Sequence, residues 1–192
     1  MPSFGDYTVN VAERIRDVLE EYPAGSAIFR EILQNTDDAG GKVQRFILDT
    51  HPQPLSGLVN STLEVCQGPS IIAYNDAKFS DKDWESITHI SYSSKKNDER
   101  STGKYGLGFC TVYHVTDNPH ILSGEKLLIL DPHKRVNKSS SLLSLSTVQD
   151  SEECDRTSYP SHFSAFDAVF NTEDKRLNGT AIRLPFRPKN SE

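Results

Sequence analysis

The chain has few cysteines, no long apolar run and an excess of negative charge. Its three cysteines, Cys66, Cys110 and Cys154, form no CxxC pair, which indicates reduced thiols in a cytosolic or nuclear compartment. No apolar run approaches the roughly 20 residues of a membrane span. The N-terminus also lacks the basic region followed by an apolar stretch that would indicate a secretory signal. The formal net charge of −6 argues against unaided binding to a nucleic-acid backbone. We therefore expect a soluble cytoplasmic protein that binds neither nucleic acid nor membrane directly.

The motifs of several common enzyme classes are also absent. The sequence holds no HExxH or GxSxG, and His114, His120 and His133 follow no metal-ligand spacing. What it does hold is the composition of one folded domain, with 192 residues, 35% of them hydrophobic and 25% charged. We expect a single domain over residues 1–192, with a flexible serine-rich insertion at 137–157.

Hydrophobic periodicity and turn residues predict the order of helices and strands. Apolar residues at helical spacing predict an amphipathic helix from Val11 to Tyr22 and a second helix from Ser26 to a glycine pair. Ser80 with Asp83 resembles a capping box that begins a third helix. Short apolar runs predict four strands, the first mostly buried, at 43–48, 70–74, 127–130 and 181–186. This order favours an α/β two-layer sandwich, in which one mixed sheet is covered by helices.

Three polar residues on the second predicted helix share one face, because Glu31, Asn35 and Asp38 lie four and three residues apart. One interpretation is a solvated polar stripe on an amphipathic helix. The other is catalytic. Glu31 would be the general base that orients water toward a γ-phosphate. Asn35 would offer its side-chain oxygen to Mg²⁺, and Asp38 would face the adenine or ribose end.

A glycine motif lies near the middle of the chain and consists of Gly103, Gly106, Gly108 and the following Phe109. Glycines let backbone N–H groups approach phosphate oxygens closely, so the motif is a candidate phosphate loop. An ordinary glycine turn is the alternative. The polar segment before it predicts a mobile lid near 91–105, in which Lys95 and Lys96 would touch phosphate or remain solvated lysines.

Two further residues are candidates for the base end of such a site. Asp76 follows a buried strand, where its carboxylate would accept a hydrogen bond from the exocyclic amine of adenine; a turn-initiating Asn-Asp pair is the alternative. Thr180 opens the last strand after a glycine, and its hydroxyl would reach adenine through water or serve as an ordinary strand residue. Together with the helix and the glycine motif, these residues predict binding of ATP with Mg²⁺.

In this order the motifs resemble the GHKL ATPases with the Bergerat nucleotide fold, which include the ninety-kilodalton heat-shock chaperones, MutL, type II topoisomerases and histidine kinases. Among them, the chain is most similar to the sacsin-like proteins. The similarity covers about residues 4–135 and 178–187. It rests on Tyr22-Pro23, Arg30 to Gly40, Tyr74 to Ala77, Asp83-Trp84, Lys95-Lys96, Gly106 to Phe109, Val112 to Asp117, Ser123-Gly124 and Leu130 to His133.

The resemblance implies a Bergerat fold, with a mixed, mostly antiparallel sheet covered on one face by helices. It also implies that Glu31 is the catalytic glutamate, that Asn35 is the magnesium ligand and that Asp76 reads adenine. The three glycines of the motif fall on the phosphate loop of the family, and Thr180 falls on the threonine of its final strand. Chaperone members borrow a γ-phosphate arginine from a following domain, and no residue here takes that role, so we expect slow hydrolysis.

Sacsin-like proteins are very large, so the resemblance implies one domain of a multidomain chaperone that couples ATP to lid closure and conformational change. Its expected partners are protein clients and co-chaperones of the heat-shock system. One departure is that Lys78 and Ser80 stand where the chaperones have glycines after the adenine-binding aspartate. A degenerate scaffold or client-binding module without ATPase activity is therefore an alternative function. A DNA-linked ATPase of the MutL or MORC type is a second alternative function.

Overall fold

The computed structural model describes residues 11–22, 24–92, 107–136, 142–147, 155–171 and 174–188. Its strands are β1 (Gln44–Asp49), β2 (Ser70–Asn75), β3 (His120–Gly124), β4 (Lys126–Leu130), β5 (Leu142–Ser146) and β6 (Leu177–Pro185). They form one sheet in the spatial order β1-β2-β6-β3-β4-β5. The helices are α1 (Val11–Glu21), α2 (Ala27–Asp38), α3 (Asp81–Tyr92), α4 (Asp155–Ser158) and α5 (Pro160–Ser164). Two 3₁₀ helices span Ser61–Cys66 and Leu107–His114, and the second is called the Gly108 helix below.

The first face of the sheet is covered by α1, α2, α3 and the Gly108 helix. Side chains alternate between the two faces along each strand, so every second residue of the central strands reaches this layer. The helices contribute apolar residues at helical spacing, and burying each stabilises the fold by about 2 kcal/mol. The core of this layer includes Ile15, Ile28, Ile32, Ala73, Ile87, Phe109, Ile121, Leu128 and Ile182.

The second face of the sheet is also covered, which corrects the expectation of one covered face. Phe163 of α5, with Phe166 and Phe170 in the turns that follow, packs on the opposite set of strand residues. These strand residues are Ile72, Leu122, Leu127, Leu145 and Ala181. In addition, every pairing among the described strands is antiparallel, so the sheet is antiparallel rather than mixed.

Strand β1 is the edge of the sheet, and the prediction that it is mostly buried is wrong. It pairs with β2 only, so one side of it has no neighbouring strand in the described structure. Phe46 and Leu48 point to the helical face but lie beyond its centre, and they remain 39% and 65% exposed. Phe46 contacts the ring of Phe29 on α2 edge to face, with centroids 5.1 Å apart.

The predictions for the first three helices are confirmed, because their boundaries depend on local chemistry. Helix α2 begins after Ser26, although the Ser26 side chain makes no capping hydrogen bond. The capping box at α3 is complete, since the backbone N–H of Ser80 donates to Asp83 Oδ2 at 2.8 Å and the N–H of Asp83 donates to Ser80 Oγ at 3.3 Å.

The serine-rich segment at 137–157 contributes a strand to the sheet. Its residues 142–146 form β5, which pairs antiparallel with β4 at the edge opposite β1. Thr147 and the start of α4 also fall within it, and residues 137–141 and 148–154 lie outside the described residues. Among the helices that the structure describes, none has both the length and the apolar character that crossing a bilayer requires.

Candidate nucleotide site

The carboxylate of Glu31 lies directly against the backbone of Gly108. Helix α2 and the Gly108 helix are packed together, and Ile32 and Phe109, which are 2% and 1% exposed, belong to the same apolar core. An ideal Cβ placed on Gly108 would overlap Glu31 Oε2 and lie 3.0 Å from its Cδ. The carboxylate therefore occupies space that only a glycine leaves open, and the fold brings together two motifs that are distant in the sequence.

The rest of the polar stripe continues along α2 from this contact. Asn35 lies one turn beyond Glu31, about 6 Å along the helix axis, and is half-buried like Glu31. Asp38 lies at the end of the helix and is exposed. Between them, the buried Thr36 faces inward, where its hydroxyl donates to the carbonyl of Ile32 at 3.0 Å. Glu31 and Asn35 are therefore the members of the stripe that border the interior.

Asp76 holds the loop after α2 against the end of β2. Its Oδ1 accepts hydrogen bonds from the backbone N–H groups of Lys42 and Val43, at 2.7 Å and 3.0 Å. The N–H groups of Val43 and Lys42 lower the pKa of the Asp76 carboxyl below its usual value. Gly41 fits closely here, because a Cβ at that position would lie 3.2 Å from Asp76 Oδ1 and 2.8 Å from Thr36 Cγ2.

Thr180 is buried and fixes the turn that follows Asp76. Its hydroxyl donates to the carbonyl of Ala77 at 2.7 Å and lies 2.8 Å from Ser123 Oγ on β3. Ser123 Oγ also accepts from the backbone N–H of Phe79 at 2.9 Å. This network ties β3, β6 and the turn together. Ser123-Gly124 is among the motifs of the resemblance, but the sequence assigned Ser123 no role. Its nearness to Thr180 across the β3–β6 ladder shows that Ser123 is a positioning residue.

Comparison with known proteins now gives the family. The family model for the Sacsin domain matches residues 8–192. The chain belongs to the sacsin-domain family. It is also similar to human sacsin, with 34% identity in an alignment that is 197 residues long and covers 98% of this chain. The chain spans only 4% of the length of human sacsin.

The two departures from the chaperone glycine pattern have different surroundings in this sacsin domain. Lys78 is exposed. Ser80, in contrast, caps α3, because its hydroxyl donates to Asp83 Oδ2 at 2.7 Å in addition to the two capping-box bonds. A serine at position 80 therefore has a structural role that glycine would not supply.

Several residues predicted for the site lie outside the described part of this sacsin domain. They are Lys95, Lys96, Gly103 and Gly106, together with most of the segment 91–105 predicted as a lid. Phe109 is described, and its side chain belongs to the core at 1% exposure. The binding role predicted for Phe109 therefore rests on its backbone N–H.

We expect Gly179→Ala to destabilise the domain strongly. Gly179 has a φ of +149°, and a Cβ there would overlap the carbonyl oxygen of Asn75 and lie 2.9 Å from Tyr74 Cε2. Backbone strain and the clash should lower the free energy of unfolding by about 2 to 3 kcal/mol, measured by urea denaturation. Gly68→Ala is the control, because a Cβ at Gly68 meets no atom of the described residues within 4 Å. Equal stabilities of the two variants would contradict the expectation.

Proposed function

We propose that this sacsin domain binds ATP with Mg²⁺ and hydrolyses it slowly. The observation that supports the proposal most is the contact of the Glu31 carboxylate with Gly108. Hydrolysis of a terminal phosphate needs a base for the attacking water and N–H groups close to the phosphate oxygens. The carboxylate can supply the base, and the glycine backbone at the start of a helix can supply the N–H groups.

The two ends of the site are separated along α2. Glu31 lies at the Gly108 end, and Asp76 lies beside the loop that follows α2. From Glu31 to Asp38 the helix rises by about 10 Å. This separation suits a ligand with its terminal phosphate near Gly108 and its base near Asp76. The backbone N–H groups of Lys42 and Val43 both bond to Oδ1 of Asp76, and the residue as a whole is exposed.

Each side chain has a distinct role in this proposal. Glu31 orients and deprotonates the attacking water, and Asp76 Oδ2 accepts a hydrogen bond from the adenine amine. Asn35 fits Mg²⁺ because its amide oxygen is a neutral oxygen ligand one turn from Glu31 on the same helix face. Bound Mg²⁺ would neutralise phosphate charge at that position. Thr180 and Ser123 hold the turn that carries Asp76.

We extend the proposal from the family to the cellular role. As part of a sacsin-like chaperone in the cytoplasm, the domain would couple nucleotide turnover to a conformational change that acts on protein clients, with co-chaperones of the heat-shock system. Human sacsin is far longer than this chain, so other domains would take part in that role.

A second candidate function is a scaffold that keeps the fold without using nucleotide. It is favoured by the internal bonds of Asp76 and Thr180, since both residues already have protein partners. It is also favoured by Lys78 and Ser80, which stand where glycines would leave room for a base.

Titration calorimetry with MgATP, together with Asp76→Asn, tests the proposal. Asparagine keeps an oxygen for the N–H groups of Lys42 and Val43, but it replaces the second acceptor by an amide donor. Loss of a hydrogen bond to a charged group should weaken ATP binding by about 10- to 100-fold. Inosine triphosphate has an oxygen in place of the adenine amine, and the amide of Asp76→Asn can donate to that oxygen. The Asp76→Asn variant should therefore bind inosine triphosphate better, relative to ATP, than the unaltered domain does.

The matched control is Asp17→Asn on the exposed side of α1, which should leave binding unchanged. Unchanged ATP affinity in Asp76→Asn would contradict the base-reading role. If the unaltered domain gives neither heat nor a thermal shift with millimolar MgATP, the scaffold function is favoured instead.

A further inference from the structure

A group of buried polar side chains lies on the second face of the sheet, opposite the candidate nucleotide site. Arg183 of β6 is the cross-strand partner of Ile72 on β2 and of His120 on β3, so Arg183 and His120 share one face. Ser70 lies two residues before Ile72 and therefore shares that face too. Arg183, His120 and Ser70 are 0%, 1% and 0% exposed.

Two further residues complete the group from the layer that covers this face. His162 of α5 is fully buried, and its ring centroid lies 6.4 Å from that of His120. Gln67 follows the first 3₁₀ helix and is 2% exposed. The backbone carbonyls of its two neighbours, Cys66 and Gly68, accept hydrogen bonds from the Arg183 guanidinium at 2.7 and 3.0 Å. We call these five residues the Arg183 cluster: Gln67, Ser70, His120, His162 and Arg183.

The Arg183 cluster has an unusual number of unmet hydrogen bonds. A buried polar atom without a partner costs about 1 to 3 kcal/mol, and native proteins contain few of them. Their concentration at one place indicates that a bound species belongs to the folded state. Within the part of the chain that the structure describes, the cluster atoms without a hydrogen-bond partner are Gln67 Nε2 and Oε1, Ser70 Oγ, His120 Nδ1 and Nε2, His162 Nδ1, and Arg183 Nε.

Donors outnumber acceptors among these atoms. His162 Nε2 accepts from the backbone N–H of Val59 at 3.2 Å, so the proton of the neutral ring lies on Nδ1. Arg183 Nε and Gln67 Nε2 are donors only, and Gln67 Oε1 is an acceptor only. His120 supplies one donor and one acceptor in its neutral form, and the Ser70 hydroxyl supplies either. A species that accepts hydrogen bonds complements this set.

The charge of the cluster is positive. Burial lowers the pKa of Arg183 to about 10, so the guanidinium remains protonated at neutral pH. The ion pairs of the described arginines involve Arg135, Arg176 and Arg187, and none involves Arg183. Asp49 acts on Arg183 from a greater distance, but its carboxylate is hydrogen-bonded to His51 and Gln53. A buried charge without a close partner is costly, and an anion would compensate it.

We propose that the Arg183 cluster binds a small inorganic anion of the halide class, with chloride as the physiological member. Every residue of the cluster is at most 2% exposed, which leaves no opening for a phosphate ester or a nucleotide. The anion accepts hydrogen bonds from Arg183 Nε, His162 Nδ1 and neighbouring donors, and it balances the guanidinium inside the domain. This site is independent of the proposed ATP site on the other face.

Stability measurements at fixed ionic strength test the proposal. The purified domain is unfolded with urea in sodium chloride and in sodium gluconate, whose anion is too large to enter. Because an anion that binds only the folded state stabilises it by mass action, the midpoint should rise with chloride and then saturate. Equal midpoints in the two salts would overturn the proposal, since general screening is the same in both.

Two variants locate the effect without removing the buried charge. Ser70→Ala removes one neutral hydrogen bond and should weaken chloride binding about fivefold. His120→Phe keeps a ring of similar size but removes both nitrogens, and it should weaken binding at least as much. Arg16→Met on the exposed face of α1 is the control and should keep the chloride dependence of the unaltered domain. The same dependence in all four proteins would place the ion elsewhere and overturn the assignment.

A crystal grown in sodium bromide gives a direct readout. An anomalous bromide peak within hydrogen-bonding distance of Arg183 Nε, combined with the chloride-dependent stability, supports the site. Ordered water alone at that place overturns it. A bromide peak without any chloride dependence in solution would be an adventitious ion only and would overturn it as well.

Discussion

Glu31→Gln is expected to reduce ATP hydrolysis by about 10²- to 10⁴-fold, while ATP affinity changes by less than about threefold. Glutamine has nearly the shape of glutamate, so it keeps the packing against Gly108. It cannot accept the proton of the attacking water, because its amide is not a base at neutral pH. Loss of the transition-state interaction alone lowers the rate of the chemical step and leaves substrate binding in place.

Single-turnover hydrolysis with the domain in excess over ATP is the appropriate measurement, because slow turnover is expected. Glu20→Gln on the exposed side of α1 is the matched control and should hydrolyse ATP at the unaltered rate. Gly108→Ala provides a second test, since its Cβ must displace the Glu31 carboxylate. It should lose hydrolysis without any change at Glu31 itself. A Glu31→Gln variant as active as the unaltered domain would remove the general-base role.

The sequence predicted the elements that depend on local chemistry. Helix α2 is bounded by Ser26 and a glycine pair, and its polar and apolar residues alternate at helical spacing. The capping box of α3 needs only Ser80 and Asp83, three residues apart. The meeting of Glu31 with Gly108 was also expected, because the order of the motifs resembled a known nucleotide fold. Local patterns and motif order therefore predicted the contact of Glu31 with Gly108, while the binding roles of the site residues stay predictions.

Elements that depend on distant partners were missed. Strand β3 has five residues and β5 lies in a serine-rich segment, so neither has a strong periodic pattern of its own. Strand β1 is apolar yet partly exposed, because the sheet ends there. Burial depends on which strand lies next to another, and a single strand does not encode it.

The Arg183 cluster shows the same limit for polar residues. Nothing near His120 or His162 in the sequence distinguishes them from surface histidines. Their rings meet only because α5 folds over the second face of the sheet. Likewise, Arg183 occupies an ordinary strand position, and only the β2–β6–β3 pairing buries it completely. The antiparallel register thus creates a chemical environment that no motif predicts.

This burial makes the domain sensitive to acid. Desolvation and the charge of Arg183 lower the pKa of His162 to about 4, from an ordinary value of 6.5. Between these values the unfolded chain binds a proton at His162 and the folded domain does not, so stability falls as the pH falls from 6.5 to 4. The loss from His162 alone should be about 3 kcal/mol. Burial lowers the pKa of His120 as well, which adds a loss in the same direction.

Urea unfolding of the unaltered domain and of His162→Gln, at a series of pH values in gluconate, measures this loss without bound halide. Glutamine keeps an acceptor for the backbone N–H of Val59 but does not titrate, so the fall between pH 6.5 and 4 should shrink by about 3 kcal/mol. The lowered pKa values of Asp49 and Asp117 act mainly below 3.8, and the pKa of Asp167, which burial raises, acts equally in both proteins, so neither changes the difference between them. His133→Gln, at an exposed position, should keep the full loss. If His162→Gln also keeps the full loss, His162 of the folded domain is already charged between pH 6.5 and 4. A charged His162 would have no acceptor at Nε2 for the Val59 N–H, and the donor count of the Arg183 cluster would have to be revised with it.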